Sequence, residues 1–184
     1  MKLHLGTPCV EWLASYAEAL EAGWSPDNIR DVSAEQLVAL RADPQAFLRS
    51  LVVPAGTITL PDGSTRPRLP NIRLWLWDGS FCGTIGLRWQ KGSDALPPHV
   101  LGHIGYTIVP WKRRKGYATE ALRVALEEAR RVGLRHVQIT TDRGNTASQR
   151  VIEKNGGRLV EEFVNETYGL EPRLRYVVRL GAAS

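Results

Sequence analysis

Cysteine is scarce in this chain of 184 residues, which contains only Cys9 and Cys82. The two residues lie far apart and match no metal-ligand or disulfide spacing, so neither a metal centre nor a disulfide framework is predicted. A reducing compartment, the cytoplasm, is the expected location. No apolar run approaches the length of a membrane span, and Glu11 and Glu18 interrupt the N-terminal apolar segment. The chain is therefore expected to be soluble and not membrane-bound.

Two common phosphate-binding motifs are also missing. The sequence contains neither G-x-x-x-x-G-K-[ST] of nucleoside-triphosphate enzymes nor G-x-G-x-x-G of dinucleotide folds, and it has no internal repeat. The hydrophobic content of 43% and the charged content of 23% are ordinary for a globular protein. The length suits a single domain over residues 1–184. The net charge of +5 favours an anionic ligand without requiring nucleic acid.

The spacing of apolar residues predicts helices and strands that alternate along the chain. Helical spacing covers residues 8–23 and a longer segment, 33–51, which is predicted to be one helix. The Pro- and Gly-rich stretch 54–70 is interpreted as a long excursion within the domain. The order βαα-βββ-αβ-αββ indicates an α/β fold with a mixed sheet and helices on its faces. The remaining predicted elements are strands over 71–77, 81–90, 100–109, 136–142, 158–164 and 174–180, and helices over 119–133 and from 145 onward.

Four basic residues, Lys112 to Lys115, crowd the start of a helical pattern that Gly116 opens. Like charges repel, and a helix N-terminus already carries positive partial charge, so the arrangement favours an anion at this position. Gly116 allows a tight turn and Ala118 adds little bulk, so the free N–H groups from Arg114 to Thr119 can converge on one small anion. The segment is predicted to bind a phosphate or pyrophosphate, with a solvated basic loop or a nucleic-acid patch as the alternatives.

The pattern Arg113-x-x-Gly116-x-Ala118 resembles the pyrophosphate loop [QR]-x-x-G-x-[GA] of the GNAT superfamily of acyl-CoA-dependent N-acetyltransferases. A strand ending in Val-Pro precedes it and an amphipathic helix follows it, as in that family. Downstream, "NTASQRVIEKNGG" resembles the second family signature, and the resemblance covers about the last half of the chain. The segments "GHIGY", "EKNGG" and "RYV" are most similar to a branch of predicted acetyltransferases whose acceptors are unassigned.

This resemblance implies a mostly antiparallel sheet flanked by helices, with a CoA-binding core at about 100–160. It implies that acetyl-CoA is the acyl donor and that the backbone from Arg114 to Thr119 holds the pyrophosphate. Side chains of the basic run would reach the ribose phosphate. One N–H of the preceding strand would polarise the thioester carbonyl. The implied cofactor-binding residues are Ile108, Val109, Arg113, Arg114, Lys115, Gly116, Tyr117, Ala118, Thr119, Asn145 and Ser148.

Two residues are candidates for catalysis, His103 and Ser148. His103 lies on the strand before the basic run and is either a structural histidine or a base for the ammonium proton. Ser148 lies one turn after Asn145, a predicted helix N-cap, where a hydroxyl could protonate the leaving thiolate. Many relatives have a tyrosine acid at the position of Ile152, so this chain excludes that acid. The role falls to Ser148, to a tyrosine such as Tyr106 or Tyr168, or to water.

The expected activity is transfer of an acetyl group from acetyl-CoA to a primary amine by direct attack in a ternary complex. The alternative is a non-catalytic module that binds either acyl-CoA or RNA. The sequence does not decide whether the acceptor is a small molecule or a protein N-terminus. It also leaves open whether the protein forms a homodimer. The surface that binds the acceptor is expected to be formed by the N-terminal helices and the loop "VNETYGLEPR".

Overall fold

The computed structural model describes residues 2–52, 56–60, 63–169 and 171–181. Five helices occur within these ranges: α1 (Leu13–Glu21), α2 (Ser33–Ala42), α3 (Pro44–Val52), α4 (Tyr117–Arg131) and α5 (Thr146–Lys154). The strands there are β1 (His4–Gly6), β2 (Thr57–Thr59), β3 (Thr65–Pro67), β4 (Asn71–Trp77), β5 (Phe81–Arg88), β6 (Ile104–Ile108), β7 (His136–Asp142), β8 (Arg158–Phe163) and β9 (Arg173–Arg179).

Antiparallel pairing joins these strands into two main sheets. The first has the order β1-β4-β5-β6, and the second has the order β7-β9-β8. Helices pack on both faces of the first sheet. The predicted α/β class with a mostly antiparallel sheet is therefore confirmed, with the sheet divided in two between β6 and β7.

The predicted helix over 33–51 is wrong in one respect, because it is broken into α2 and α3 at Asp43. Asp43 is extended, with φ −154° and ψ 96°. The ring of Pro44 disfavours helical geometry in the residue before it, and proline is well accommodated at a helix start. The Asp43 carboxylate then accepts a hydrogen bond from the Ala46 N–H at 2.9 Å, which stabilises the start of α3.

The stretch 54–70 contains a short hairpin that the sequence analysis did not predict. β2 and β3 pair through Ile58 and Arg66 and form a separate two-stranded sheet. Residues 53–55 and 61–62, which belong to or adjoin the predicted excursion, lie outside the described residues. The observed order is therefore βααα-βββββ-αβ-αββ, with one more helix and two more strands than expected.

Hydrophobic clusters lie on both sides of the first sheet. On one side α4 packs its buried face, including Leu122 and Leu126, against residues such as Ile85 and Leu87. On the other side α1 and α3 cover the ring of Trp75, which stacks on Tyr16 with centroids 4.4 Å apart. No helix in the described part of the chain is long and apolar enough to cross a membrane.

Candidate active site

The two main sheets separate along the edge of β6. Hydrogen bonds from the Arg88 N–H to His103 O and from the Val109 N–H to Cys82 O fix which backbone groups of β6 face β5. Since these groups alternate in an antiparallel ladder, the polar backbone groups of the even-numbered residues, Ile104 to Ile108, face away from β5. β6 is the last strand of its sheet, so the N–H groups on this edge are available to a ligand, whereas Tyr106 O and Ile108 O accept hydrogen bonds from Asn28 and Arg113.

A cavity of about 220 Å³ opens at this separation. It is lined by β6, by the carboxyl end of β7 and by the start of α5, with one residue from the loop after α1 and one from the start of β9. The lining residues are Asn28, Ile104, Gly105, Tyr106, Ile139, Thr140, Thr141, Asp142, Asn145, Ser148 and Arg173.

Two hydroxyl groups meet inside this cavity. The Tyr106 hydroxyl lies 2.8 Å from Ser148 Oγ, and either group can be the donor. Burial raises the pKa of Tyr106 to about 12, although the Ser148 hydrogen bond opposes the rise, so the phenol is protonated at neutral pH. The Asn145 side chain accepts the Ser148 N–H at 3.0 Å, which confirms the predicted N-cap and fixes Ser148 in the first turn of α5.

The structure places His103 away from the cavity lining and buries it completely. The ring nitrogen Nδ1 of His103 accepts the Gln138 backbone N–H at 2.9 Å, and the backbone N–H of His103 donates to Gln138 O at 2.7 Å. Burial lowers the pKa of His103 to about 4, with the charge of His136 as a second cause. These contacts join β6 to β7 just before the sheets separate. These contacts favour the structural alternative for His103, and a role as the catalytic base stays a prediction.

The backbone of Val109, which the resemblance implies as a cofactor contact, is hydrogen-bonded within the protein. Its N–H donates to Cys82 O at 3.0 Å and its carbonyl accepts the Lys112 N–H at 3.0 Å, so both polar backbone groups are used within the protein. The Ile108 carbonyl accepts a hydrogen bond from Arg113 Nε at 3.2 Å. The N–H of Ile108 faces the open edge of β6.

The turn before α4 has the geometry that the sequence analysis predicted. Gly116 is left-handed, with φ +79°, and a Cβ built there would meet nothing within 4 Å. Within the described ranges, Arg114, with φ +62°, is the only residue other than a glycine that has a positive φ. The first hydrogen bond of α4 runs from the Glu120 N–H to Gly116 O, so the N–H groups of Tyr117 to Thr119 remain free for an anion.

A buried carboxylate that the sequence analysis missed fixes both ends of this turn. Asp78 Oδ1 accepts Lys112 Nζ at 2.7 Å, and Asp78 Oδ2 accepts the Tyr117 hydroxyl at 2.6 Å. Burial opposes ionisation of Asp78, but the two hydrogen bonds outweigh it and hold its pKa well below the usual range. Lys112 is thus committed to Asp78, which leaves Arg113, Arg114 and Lys115 for an anionic ligand. Asp78 belongs to the Asp-Gly hairpin turn, and no local pattern distinguishes it from an ordinary turn residue.

Comparison with known families identifies this arrangement. A family model described as the acetyltransferase (GNAT) domain matches residues 26–158. The matched region includes the turn at Gly116 and every residue of the cavity lining except Arg173. The chain belongs to the GNAT acetyltransferase family. None of the curated proteins compared with this GNAT domain matches it in sequence.

Solved structures share the fold over nearly the whole GNAT domain. RimL, a ribosomal alpha-N-protein acetyltransferase in complex with coenzyme A, has a TM-score of 0.66 at 14% identity, covering 100% of this chain and 97% of its own. RimJ of Mycobacterium smegmatis, in complex with a CoA disulfide, has a TM-score of 0.63 at 17% identity, covering 96% and 81%. YncA of Salmonella typhimurium, a putative acetyltransferase with acetyl-CoA, has a TM-score of 0.58 at 15% identity, covering 100% and 97%.

Among the described residues, no group of three or more His, Cys, Asp or Glu side chains is arranged to hold a metal ion. The polar groups of the site are instead hydroxyls, amides, basic side chains and one carboxylate, Asp142, which is paired with Arg173 at 3.2 Å. They suit an anionic ligand with an extended polar arm.

Proposed function

We propose that this GNAT domain transfers an acetyl group from acetyl-CoA to a primary amine in a ternary complex. The observation that carries the proposal is the free amide cluster at Tyr117 to Thr119 beside the open edge of β6. The amides and the basic side chains of the turn suit a pyrophosphate. The open edge suits the amides of the pantetheine arm, and the CoA complexes of RimL and RimJ share the fold.

The chemical step requires stabilisation of an oxyanion and protonation of a thiolate. The neutral amine attacks the thioester carbon, and the oxyanion accepts a hydrogen bond from the Ile108 N–H. Collapse of the intermediate breaks the carbon–sulfur bond. The leaving sulfur takes a proton from the Tyr106 hydroxyl, and Tyr106 regains a proton from water by way of the Ser148 hydroxyl. The proton of the attacking amine passes to water, because His103 does not reach the cavity.

Binding and turnover test this proposal separately. Acetyl-CoA should raise the melting temperature of the purified protein, since a ligand that binds only the folded state stabilises it. A panel of primary amines should then release CoA thiol in the presence of the protein. A melting shift with RNA that disappears at high salt, and none with acetyl-CoA, would overturn the proposal in favour of a nucleic-acid module. Binding of acetyl-CoA without turnover of any amine would favour a non-catalytic acyl-CoA-binding module.

A further inference from the structure

Two arginines share one face of the first sheet beside the proposed active site. Arg73 is paired with Gly86, and Gly86 with Gly105, while Arg88 is paired with Asn71. Directly paired residues point to the same face of a sheet, so both arginines project over a surface that the two glycines leave bare. A Cβ built on Gly105 would lie 3.4 Å from Arg88 Nη2, which puts this guanidinium directly over a residue of the cavity lining.

Neither guanidinium has an ion-pair partner among the described residues. Burial lowers the pKa of both arginines, and the charge of Arg73 further lowers the pKa of Arg88. Arg88 is nevertheless exposed to solvent. A ligand can therefore reach the Arg88 guanidinium although other protein groups lie close to it. Asp27 is the acidic residue that acts on both arginines, but its Oδ1 already accepts the N–H groups of Ile29 and Arg30, at 2.6 and 3.2 Å.

Two loops border the surface that carries Arg73 and Arg88. The Asn28 side chain donates to Tyr106 O at 3.3 Å, which holds the loop after α1 against β6. On another side, the Tyr168 hydroxyl donates to His99 O at 2.7 Å and lies near enough to Arg88 to act on its charge. The paired arginines therefore lie between two loops and beside Gly105, a residue of the cavity lining.

We propose that Arg73 and Arg88 bind a carboxylate of the acceptor, so that the acetylated amine belongs to an acidic molecule. This inference rests on the acetyl transfer proposed above. A carboxylate suits the site because guanidinium groups bind it with two parallel hydrogen bonds. It would also relieve the repulsion between the two positive charges, neither of which has an ion-pair partner among the described residues. The carboxylate belongs either to a free amino acid or to an acidic residue of a peptide N-terminus.

Matched amines that differ only in the carboxylate test the proposal. The probes are β-alanine against β-alaninamide, glycine against glycinamide, and the C-terminally amidated peptides Ala-Glu-Ala and Ala-Gln-Ala. Thiol release at saturating acetyl-CoA gives kcat/KM for each. We expect the acid to exceed its amide by roughly 10- to 100-fold in the series that carries the physiological chemistry, as for hydrogen bonds to charged groups. A preference confined to the small amines indicates an amino acid, and one confined to the peptides indicates a protein N-terminus.

Three variants connect this preference to the arginines. Arg88→Gln should remove most of the preference, and Arg88→Lys should keep part of it, because lysine retains the charge without the planar fork. Arg179→Ala removes an exposed arginine on β9 and should leave the preference unchanged. Arg88→Gln should not lower the melting temperature, since it removes a like-charge repulsion.

The possible failures are distinguishable. Equal turnover of the acid and amide in every pair, or a preference that survives in Arg88→Gln, overturns the carboxylate site while leaving acetyl transfer intact. If acetyl-CoA neither binds nor releases CoA with any amine, the proposed function itself fails. A loss of acetyl-CoA binding in Arg88→Gln would also overturn the inference, because it would assign the arginine to the cofactor.

Discussion

Replacing Asp78 by asparagine should destabilise the protein and weaken acetyl-CoA binding together. The carboxylate is 8% exposed and holds Lys112 and Tyr117, which lie on either side of the basic turn. Asparagine has nearly the same shape but no charge. It would keep one acceptor atom and lose the ion pair.

The magnitude follows from the environment of the pair. A hydrogen bond to a charged group contributes about 1.5–3 kcal/mol, and removing one partner of a buried ion pair costs about 3–5 kcal/mol. The Lys112 side chain is 17% exposed, so its ammonium can recover some hydration when Asp78 is lost. We therefore expect a loss of about 2–3 kcal/mol, which for a chain of this size lowers Tm by roughly 4–12 °C.

Thermal melting with and without acetyl-CoA measures both effects. Glu127→Gln is the matched control, because Glu127 pairs with Arg123 on the exposed face of α4 and such pairs contribute at most about 1 kcal/mol. The folded pKa of Asp78 is depressed, so its stabilisation is present above the unfolded pKa near 3.8 and is lost as the pH falls below it. The difference in stability between the wild type and Asp78→Asn should therefore be constant above about pH 5 and shrink in more acidic solution. If Asp78→Asn melts like Glu127→Gln at neutral pH, the reasoning is wrong.

Three other predictions concern the turn, the hydroxyl pair and His103. Gly116→Asp should abolish acetyl-CoA binding, because it adds a carboxylate at the amide cluster, whereas unchanged affinity in a folded variant would contradict the assignment of the turn. Tyr106→Phe should lower kcat by up to the ~10²–10⁴-fold of general acid catalysis, and Ser148→Ala by less, with acetyl-CoA binding intact in both; a loss of binding in Ser148→Ala would make Ser148 a cofactor ligand instead. His103→Asn keeps an acceptor for the Gln138 N–H, and it should leave the pH profile of kcat/KM unchanged. The folded pKa of His103 is about 4, below its ordinary 6.5. The wild type should therefore lose stability as the pH falls from 6.5 to 4, and the variant should lose less over the same range. An acidic limb of kcat/KM that vanishes in His103→Asn would restore His103 as the base.

Local patterns predicted those parts of the site that depend on backbone geometry. The left-handed Gly116 and the Asn145 cap each follow from residues within one turn. The break at Asp43 could also have been found, since the residue before a proline avoids helical geometry. Asp78 could not, because its partners Lys112 and Tyr117 lie more than 30 residues away, and only the folded chain brings a turn carboxylate against the start of α4.

The backbone contacts of His103 and Val109 could not be predicted, for a related reason. Strand alternation shows that neighbouring side chains point to opposite faces, but it does not show which backbone groups a neighbouring strand will use. That depends on the register of β5 against β6, which pairs Gly83 with Ile108 and so directs the Val109 N–H to Cys82. The position of His103 likewise depends on its contact with Gln138 at the junction with β7.

The hydroxyl proposed to protonate the thiolate lies on β6, whereas the family pattern implies a tyrosine on α5, at the position of Ile152. Ile152 is completely buried in the main hydrophobic cluster, and Gly157 packs so closely against it that there is no room for a Cβ at residue 157. A tyrosine could not replace Ile152 there without displacing the end of α5. In the proposed mechanism the thiolate takes its proton from a hydroxyl at the cavity, and that hydroxyl need not come from a particular element. Tyr106 on β6 meets this requirement, and its contact with Ser148 explains how α5 takes part in the site although the core occupies the position of Ile152.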